Sequence, residues 1–589
     1  MNVRSSIPAL FLATLREHPQ EEMLGVRQSD GWSWLSSEQA GEAVREIAGG
    51  LIARGLTLRA RVALVSENRP EWALVDLAVQ SAGGVVVPIY PTLSLDQTQF
   101  LLKDSGACVA FVSTSELASK IESVRAGTAC TQLYAFDGES ATPIARLREA
   151  GRDFLSQHPE ALEERLAGLG PNELATIVYT SGTTGIPKGA MLSHGNICHN
   201  VAACLDLFDF RSGDTALSFL PLSHIFERMV QYVFLQKGLR IAYVRSLERL
   251  ADAIAETRPH VFVTVPRVLE RVAGRVREQI EQSSAVRRFV GRRALAWAEH
   301  CADLFMRGER PRGLGGARWM AADRLVLSRL RARLGGRLRF VVSGGAALPR
   351  DVTRFFWAAA IPVYEGYGLT ETAPVLCANR PGHIRLGTVG PPIPGVELRI
   401  APDGEILARG PNVMKGYWQN ELDTGEVLRG GWFHTGDLGS LDTDGLLRIT
   451  GRKKDILVLS TGKNVAPQAI EDAVGQSPFV SRVIAVGDER PAIGLLIVPN
   501  LEMIARWARD NGLPDADRET LLASPQVRRL MRSEIVRLQA RLSTFEKARQ
   551  FEFLHEDLTE ENGLLTPTQK VRRQAVIERH GHLVNRLYE

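Results

Sequence analysis

The run YTSGTTGIPKG, residues 179–189, decides how the rest of the chain reads. It continues directly from an apolar, strand-like stretch, ELATIVY at 173–179. Gly182, Gly185 and Gly189 let the backbone come close to a ligand, while Thr180, Ser181, Thr183, Thr184 and Lys188 add hydroxyl and ammonium donors to the amides. That chemistry suits a polyphosphate. It is not a Walker A loop, because Gly-Lys-Ser/Thr at the required spacing is missing. A plain Gly/Ser/Thr linker needs neither the lysine nor an apolar strand feeding it.

On both sides of this run, short β-rich stretches alternate with helical ones. VALV at 62–65 is followed by a helix after Arg69, GGVVVPI at 83–89 by a helix from Leu95, and ACVAFVS closes the series at 107–113. The theme returns with DTALSFL (214–220), HVFVTVP (260–266), LRFVVSG (338–344), a helix over 349–360 and a strand near 362–364. Such alternation predicts parallel sheet with crossover helices. After Gly390 the pattern changes: ELRIAPDGEILARG and GSLDTDGLLRITGR each set an Asp-Gly turn between short strands, as hairpins do. Past Gly451 a smaller unit follows, with a helix from Ala466 and strand-like runs SRVIAV and IGLLIVPN. The expected organisation is α/β, with a large N-terminal domain over 1–451 built from α/β subdomains and β hairpins, and a small α+β C-terminal domain over 452–589.

Composition narrows the function classes. The 589 residues are 44% apolar and 23% charged, which is ordinary for a folded globular chain and excludes disordered or coiled-coil architectures. A net charge of +4 over this length does not describe a nucleic-acid binder. The charge is uneven, however: residues 287–339 hold fourteen arginines against Glu299, Asp303, Glu309 and Asp323, so the remainder is net acidic. This segment reads as two amphipathic helices around RGERPRGLGG (307–316). Phe289, Leu295, Trp297, Leu304, Phe305 and Trp319 are candidates to lie on an anionic membrane. Six scattered cysteines form no CxxC pair, and no apolar run approaches the ~18 residues of a membrane span. The expectation is a cytoplasmic protein with at most peripheral contact at the inner face of a membrane.

Other clusters carry chemistry. SGGAAL (343–348) offers Gly344, Gly345 and Ala346 after a strand, and VYEGYGLTET (363–372) offers Glu365, Gly366, Tyr367, Gly368, Thr370 and Glu371. Tyr367 has a flat face for a base, and Glu371 a hard oxygen suited to Mg²⁺. HTGDLG (434–439) puts Asp437 in a tight turn, ITGRKKD (449–455) puts Arg452 at the domain junction, and LLTPTQKVRR (564–573) sets Lys570 after a Thr-Pro turn.

These motifs, in this order, resemble the adenylate-forming (AMP-forming) acyl-CoA synthetase superfamily, in particular its bacterial long-chain fatty acid-CoA ligase branch, over nearly the whole chain. The resemblance implies a phosphate loop at 180–188 with catalytic roles for Thr184 and Lys188, and an adenine wall at 344–346. It implies an adenine-stacking loop at 365–370 and Mg²⁺ at Glu371. Asp437 and Arg452 are implied to contact ribose, Lys454 to be an interdomain hinge, and Lys570 to be the lysine of adenylation. PLSHIFER (221–228) would border the acyl pocket through His224 and Phe226. STGKNVAPQAIE (460–471) would line the CoA channel at Gly462 and Lys463. The implied reaction uses ATP, Mg²⁺ and CoA: a fatty carboxylate becomes acyl-AMP with loss of pyrophosphate, and the acyl group passes to CoA after the mobile C-terminal domain swings. Two alternatives stay open: a fatty acyl-AMP ligase that delivers to a carrier protein, and a catalytically silent lipid- or nucleotide-binding protein of the same fold.

Overall fold

The β-rich runs of the first two-thirds of the chain form two eight-stranded sheets. The computed structural model describes residues 3–138, 140–180, 186–514, 516–566 and 569–589. They divide into two units. The first reaches Arg399 and includes 407–435 and 441–448, and the second comprises 400–406, 436–440 and 449–589.

In one sheet of the first unit the strands Leu174–Thr180, Val85–Ile89, Arg61–Val65, Val109–Val112 and Gln132–Ala135 lie parallel in that spatial order. Helices cross between them. Pro70–Ser81 starts with proline in its first turn, and Leu95–Ser105 starts at a Ser94–Gln97 capping box. Along Arg61–Val65, Val62 and Leu64 enter one apolar core while Ala63 and Val65 enter another. A strand buried on both faces needs a continuous apolar run, and that is how this segment reads. The other sheet holds Val363–Gly368, Phe340–Ser343, Val261–Thr264, Thr215–Ser218, Arg240–Tyr243 and Leu24–Arg27 in parallel, with antiparallel edges at Val375–Ala378 and Trp32–Leu35.

Three features differ from the sequence reading. The polyphosphate-type run, which follows a strand as expected, joins Leu174–Thr180 to Lys188–Ser193, an antiparallel pair with Thr180 opposite Lys188 in a sheet expected to be parallel. Second, the strand expected near 362–364 extends through the glycine-rich motif to Gly368. Neighbours on both sides hold it there: Ser343 pairs with Glu365, and Cys377 with Tyr367. Gly368 is required by the turn that follows, because a Cβ there would lie 1.8 Å from the Pro374 carbonyl oxygen. Third, the arginine-rich segment forms five helical pieces, Ala285–His300, Ala302–Met306, Gly313–Ala322, a π-turn at Asp323–Leu327 and Ser328–Arg333, rather than two helices. Of the six apolar residues expected on its lipid side only Phe289 is exposed. Leu295 is buried, and Phe305 packs on Trp319 with ring centres 5.2 Å apart. All six cysteines are free thiols, and among the described residues no helix is long and apolar enough to cross a membrane.

In the second unit, Val480–Val486 pairs antiparallel with Gly494–Pro499, which pairs parallel with Gln550–Phe553. Here too the faces alternate: Val483 and Ala485 enter one core, Ile484 and Val486 the other.

At the centre of the first unit is a fully buried ion pair, Arg228 with Asp76. Arg228 also donates to the Tyr232 hydroxyl at 2.9 Å and to Thr176 Oγ1 at 2.7 Å, and Gln80 donates to Asp76 at 3.0 Å. The network joins helix Pro70–Ser81, helix Ile225–Lys237 and strand Leu174–Thr180. Replacing either Asp76 or Arg228 with alanine strands the other charge and is expected to cost about 3–5 kcal/mol. The double variant should lose less than the sum. Denaturant unfolding followed by tryptophan fluorescence measures both quantities, and strictly additive losses would contradict the coupling.

Candidate functional site

Lys188 is a strand residue whose position is set by pairing with Thr180, and its side chain is one-fifth exposed. Its ammonium lies 2.6 Å from Asp423 Oδ2 and 5.6 Å from the centre of the Tyr417 ring. The Tyr417 hydroxyl donates to Glu371 Oε1 at 2.8 Å. Burial, reinforced by the Glu371 charge, pushes the Tyr417 phenol well above its ordinary range, so it remains a donor. The geometry therefore gathers a cation, two carboxylates and a phenol at the end of the 174–193 hairpin. Ser181, Gly182, Thr183, Thr184 and Gly185 lie outside the described residues.

Glu371, on the short turn Thr370–Thr372, offers the hard carboxylate oxygen that a Mg²⁺ would need. Tyr417 engages one carboxylate oxygen, and Mg²⁺ is commonly held by one or two carboxylates together with phosphate oxygens. Among the described residues no three His, Cys, Asp or Glu side chains gather into a cage of their own.

The second cluster brings SGGAAL, YEGYG and PLSHIFER together. A Cβ on Gly344 would lie 2.9 Å from the Phe226 ring, so the glycine is what lets that ring approach the strand end. Gly345 takes a φ of +84°, and both Gly345 and Ala346 are exposed. In the YEGYG segment and the turn after it, Gly366, Tyr367 and Thr370 are half-buried and Gly368 is exposed. Glu365 is largely buried and accepts the Leu348 N–H at 3.4 Å, which ties the two glycine-rich loops, while burial pushes its carboxyl up to about 7.

His224 caps helix Ile225–Lys237: its Nδ1 accepts the Phe226 N–H at 3.1 Å. A capping role is thus established by geometry, whatever else the ring touches. The neighbouring Glu227 is fully buried. It accepts from the Ser218 hydroxyl and the Phe219 N–H, and its Oε2 has no hydrogen-bond partner among the described residues. Burial raises its carboxyl to about 8.

In the second unit Arg452 Nε lies 3.0 Å from Asp437 Oδ1, with Asp437 buried and Arg452 half-exposed. The adjacent Lys453 binds Asp403 and Glu405 at 2.6 and 3.1 Å, and Lys454 is exposed. Gly462, with φ +75°, turns the hairpin Leu457–Val458/Asn464–Val465, and the ammonium of Lys463 lies 5.9 Å from the centre of the Phe545 ring. Lys570 is exposed, the Thr566 N–H donates to its carbonyl at 2.8 Å, and its own N–H donates to Thr566 Oγ1 at 3.1 Å.

Sequence reading missed Tyr417 and Asp423. The run KGYWQNELDT, 415–424, carries an aromatic pair and acidic residues before a helix, but nothing local says that they face Lys188 and Glu371. It missed the buried Glu227 as well, which sits inside a motif noted for its histidine.

The AMP-binding enzyme family matches residues 11–418, and the AMP-binding enzyme C-terminal domain matches 454–589. The long-chain-fatty-acid--CoA ligase FadD15 of Mycobacterium tuberculosis is 36% identical, over 99% of this chain and 99% of that protein. The peroxisomal long chain acyl-CoA synthetase 7 of Arabidopsis thaliana is 32% identical, over 98% and 85%. Among solved structures, the adenylation domain of a carboxylate reductase from Mycobacterium chelonae superposes with a TM-score of 0.76 at 23% identity, over 99% and 91% of the two chains. An anthranilate CoA ligase in complex with anthranoyl-AMP gives 0.73 at 18%, over 98% of each. At these identities the two structures speak for the fold.

Because Glu227 is held as the neutral acid when folded but titrates near 4.5 when unfolded, the folded chain binds the extra proton between those values. Its contribution to stability therefore falls as pH rises from about 4.5 to about 8. Glu227→Gln removes this term, while Glu365 is common to both proteins. The melting temperature of the variant relative to wild type should climb from pH 5 to pH 8 and level off above, and a difference independent of pH would rule the assignment out.

Proposed function

Since the chain belongs to the AMP-binding enzyme family, we propose that it is an ATP-dependent ligase that activates a long-chain fatty acid as acyl-AMP and transfers the acyl group to CoA. One observation carries this reading above the others: 36% identity across 99% of both chains with a protein named long-chain-fatty-acid--CoA ligase. The presence of Lys188, Glu371, Asp437, Arg452 and Lys570 in the motifs that resemble that family supports it.

The chemistry explains the need for two steps. A carboxylate expels oxide poorly, so the oxygen must first be converted into a leaving group. The fatty carboxylate oxygen attacks the α-phosphorus of ATP, the bond to the bridging oxygen breaks, and pyrophosphate leaves. The CoA thiolate then attacks the acyl carbon, and AMP carries off the oxygen. In this reading Lys188 and the loop hydroxyls hold the β- and γ-phosphates. Asp437 and Arg452 hold the ribose, Tyr367 stacks on the adenine, and Lys570 offsets charge developing at the α-phosphate. Glu371 holds Mg²⁺, which shields the phosphate charge. His224 and Phe226 border the acyl pocket, and Gly462 and Lys463 the pantetheine path. The second unit alternates between the half-reactions about Lys454.

The test is mass spectrometry of products from purified protein with Mg²⁺, ATP and mixed fatty acids, with and without CoA. Long-chain acyl-CoA must appear only with CoA, and accumulation of acyl-AMP alone would transfer the reading to a carrier-protein acceptor. Lys570→Ala should slow acyl-AMP formation by roughly 100-fold and leave thioester formation from supplied acyl-AMP within a few-fold. Equal losses in both assays would remove Lys570 from the adenylation step.

The arginine-rich segment supports a membrane-facing role in the same reading, since long-chain acids partition into lipid. Val286, Phe289, Leu314 and Met320 are between 62% and 82% exposed there, among arginines. Apolar side chains ringed by cations suit an anionic bilayer. Co-sedimentation with phosphatidylglycerol vesicles should exceed that with phosphatidylcholine and fall with salt, and Phe289→Ser/Leu314→Ser should weaken it. Equal partitioning to both lipids would exclude this surface.

A further inference from the structure

Lys188 and Asp423 are far apart in the chain, yet their side chains meet at 2.6 Å. The Asp423 carboxylate is fixed before any ligand arrives. Its own N–H donates to Asn420 Oδ1 at 3.0 Å, and Asn420 Nδ2 donates back to Asp423 Oδ2 at 2.6 Å, at the start of helix Glu421–Val427. Tyr417, whose N–H donates to Thr424 Oγ1 at 2.9 Å and so is tied to the same helix, presents its ring to the ammonium and its hydroxyl to Glu371. The ion pair is not sealed in. The two side chains are 20% and 27% exposed and line a cavity of about 210 Å³ together with Asp104, Pro187 and Trp418. An ammonium has three donors but a single unit of charge, so an anion entering this cavity meets a cation that already has a carboxylate against it.

We propose that Asp423 is the resting counter-ion of Lys188: its carboxylate neutralises the ammonium, is displaced when a polyphosphate arrives, and returns as pyrophosphate leaves. The proposal rests on the reading of Lys188 as a polyphosphate ligand. Its consequence is specific in sign. A group that competes for the cation weakens every polyphosphate bound there, the product included, and so favours release of pyrophosphate.

Calorimetric titration of the full chain with sodium pyrophosphate tests this. Asp423→Asn keeps the shape of the side chain and removes the charge, and should tighten pyrophosphate binding roughly two- to fivefold, the scale of a partly exposed ion pair. The gain should shrink at high salt. Asp423→Glu, which restores the charge, should return the affinity to within about twofold of wild type, and in a Lys188→Ala background Asp423→Asn should produce no gain. If Lys188→Ala weakens binding but Asp423→Asn leaves it unchanged or weaker, the counter-ion role is overturned and the role of Lys188 stands. If Lys188→Ala has no effect, the reading of Lys188 fails and the proposal falls with it.

Discussion

The buried pair between Arg228 and Asp76 is the constraint on which the first unit depends. Neither charge reaches solvent, so each is tolerable only while the other is in place. Because Thr176, Tyr232 and Gln80 complete the network, it fixes two helices and a strand at once. The effect extends to the chemistry: Arg228 stands one turn into the helix that His224 caps, so its anchoring also determines where the 221–226 loop and the Phe226 ring come to rest. Phe226 meets Gly344, and Glu365 joins the Gly344 loop to the YEGYG strand. A chain of close contacts thus leads from a buried ion pair to two glycine-rich segments.

The candidate polyphosphate site is built on a different principle. Its cation comes from a strand, not from a helix terminus, so the hairpin fixes where Lys188 begins and the 416–424 segment fixes where its ammonium ends. Tyr417 serves two charges at once, with its ring face toward the ammonium and its hydroxyl on Glu371. Placing carboxylates beside the cation lowers the net positive charge of the site. Under the proposed reading, that arrangement suits release of a highly charged product as well as binding of a highly charged substrate.

In the second unit the three-stranded sheet is apolar on both faces, and the candidate groups lie outside it: Asp437 on strand Trp432–Leu441, not in the tight turn expected from HTGDLG, and Arg452 at the end of strand Leu447–Arg452. Asp437 is buried while Arg452 is half-exposed: the carboxylate is held in one orientation and the guanidinium keeps its reach. The backbone of Lys570 is tied to Thr566 by two hydrogen bonds, so an exposed, long side chain begins from a held position.

The amino-acid sequence by itself determined the strands with continuous apolar runs, the helices that open on proline or a capping box, the Asp-Gly turns at 403–404 and 444–445, and the identities of Lys188, Glu371, Asp437, Arg452 and Lys570. Each of these depends on a signal spanning a few residues, and local backbone preference and periodicity act over that range. Only the tertiary structure decided that YEGYG is strand rather than turn, because two neighbouring strands supply the pairing that five glycine-rich residues would not adopt alone. It also decided that Phe305 and Trp319 face inward and Phe289 outward, since helical periodicity does not say which face a neighbour will cover. The pairing of Asp423 with Lys188 and of Asp76 with Arg228 belongs to the same class. Charges distant in sequence acquire partners only when packing brings their backbones together, and no local pattern encodes that distance.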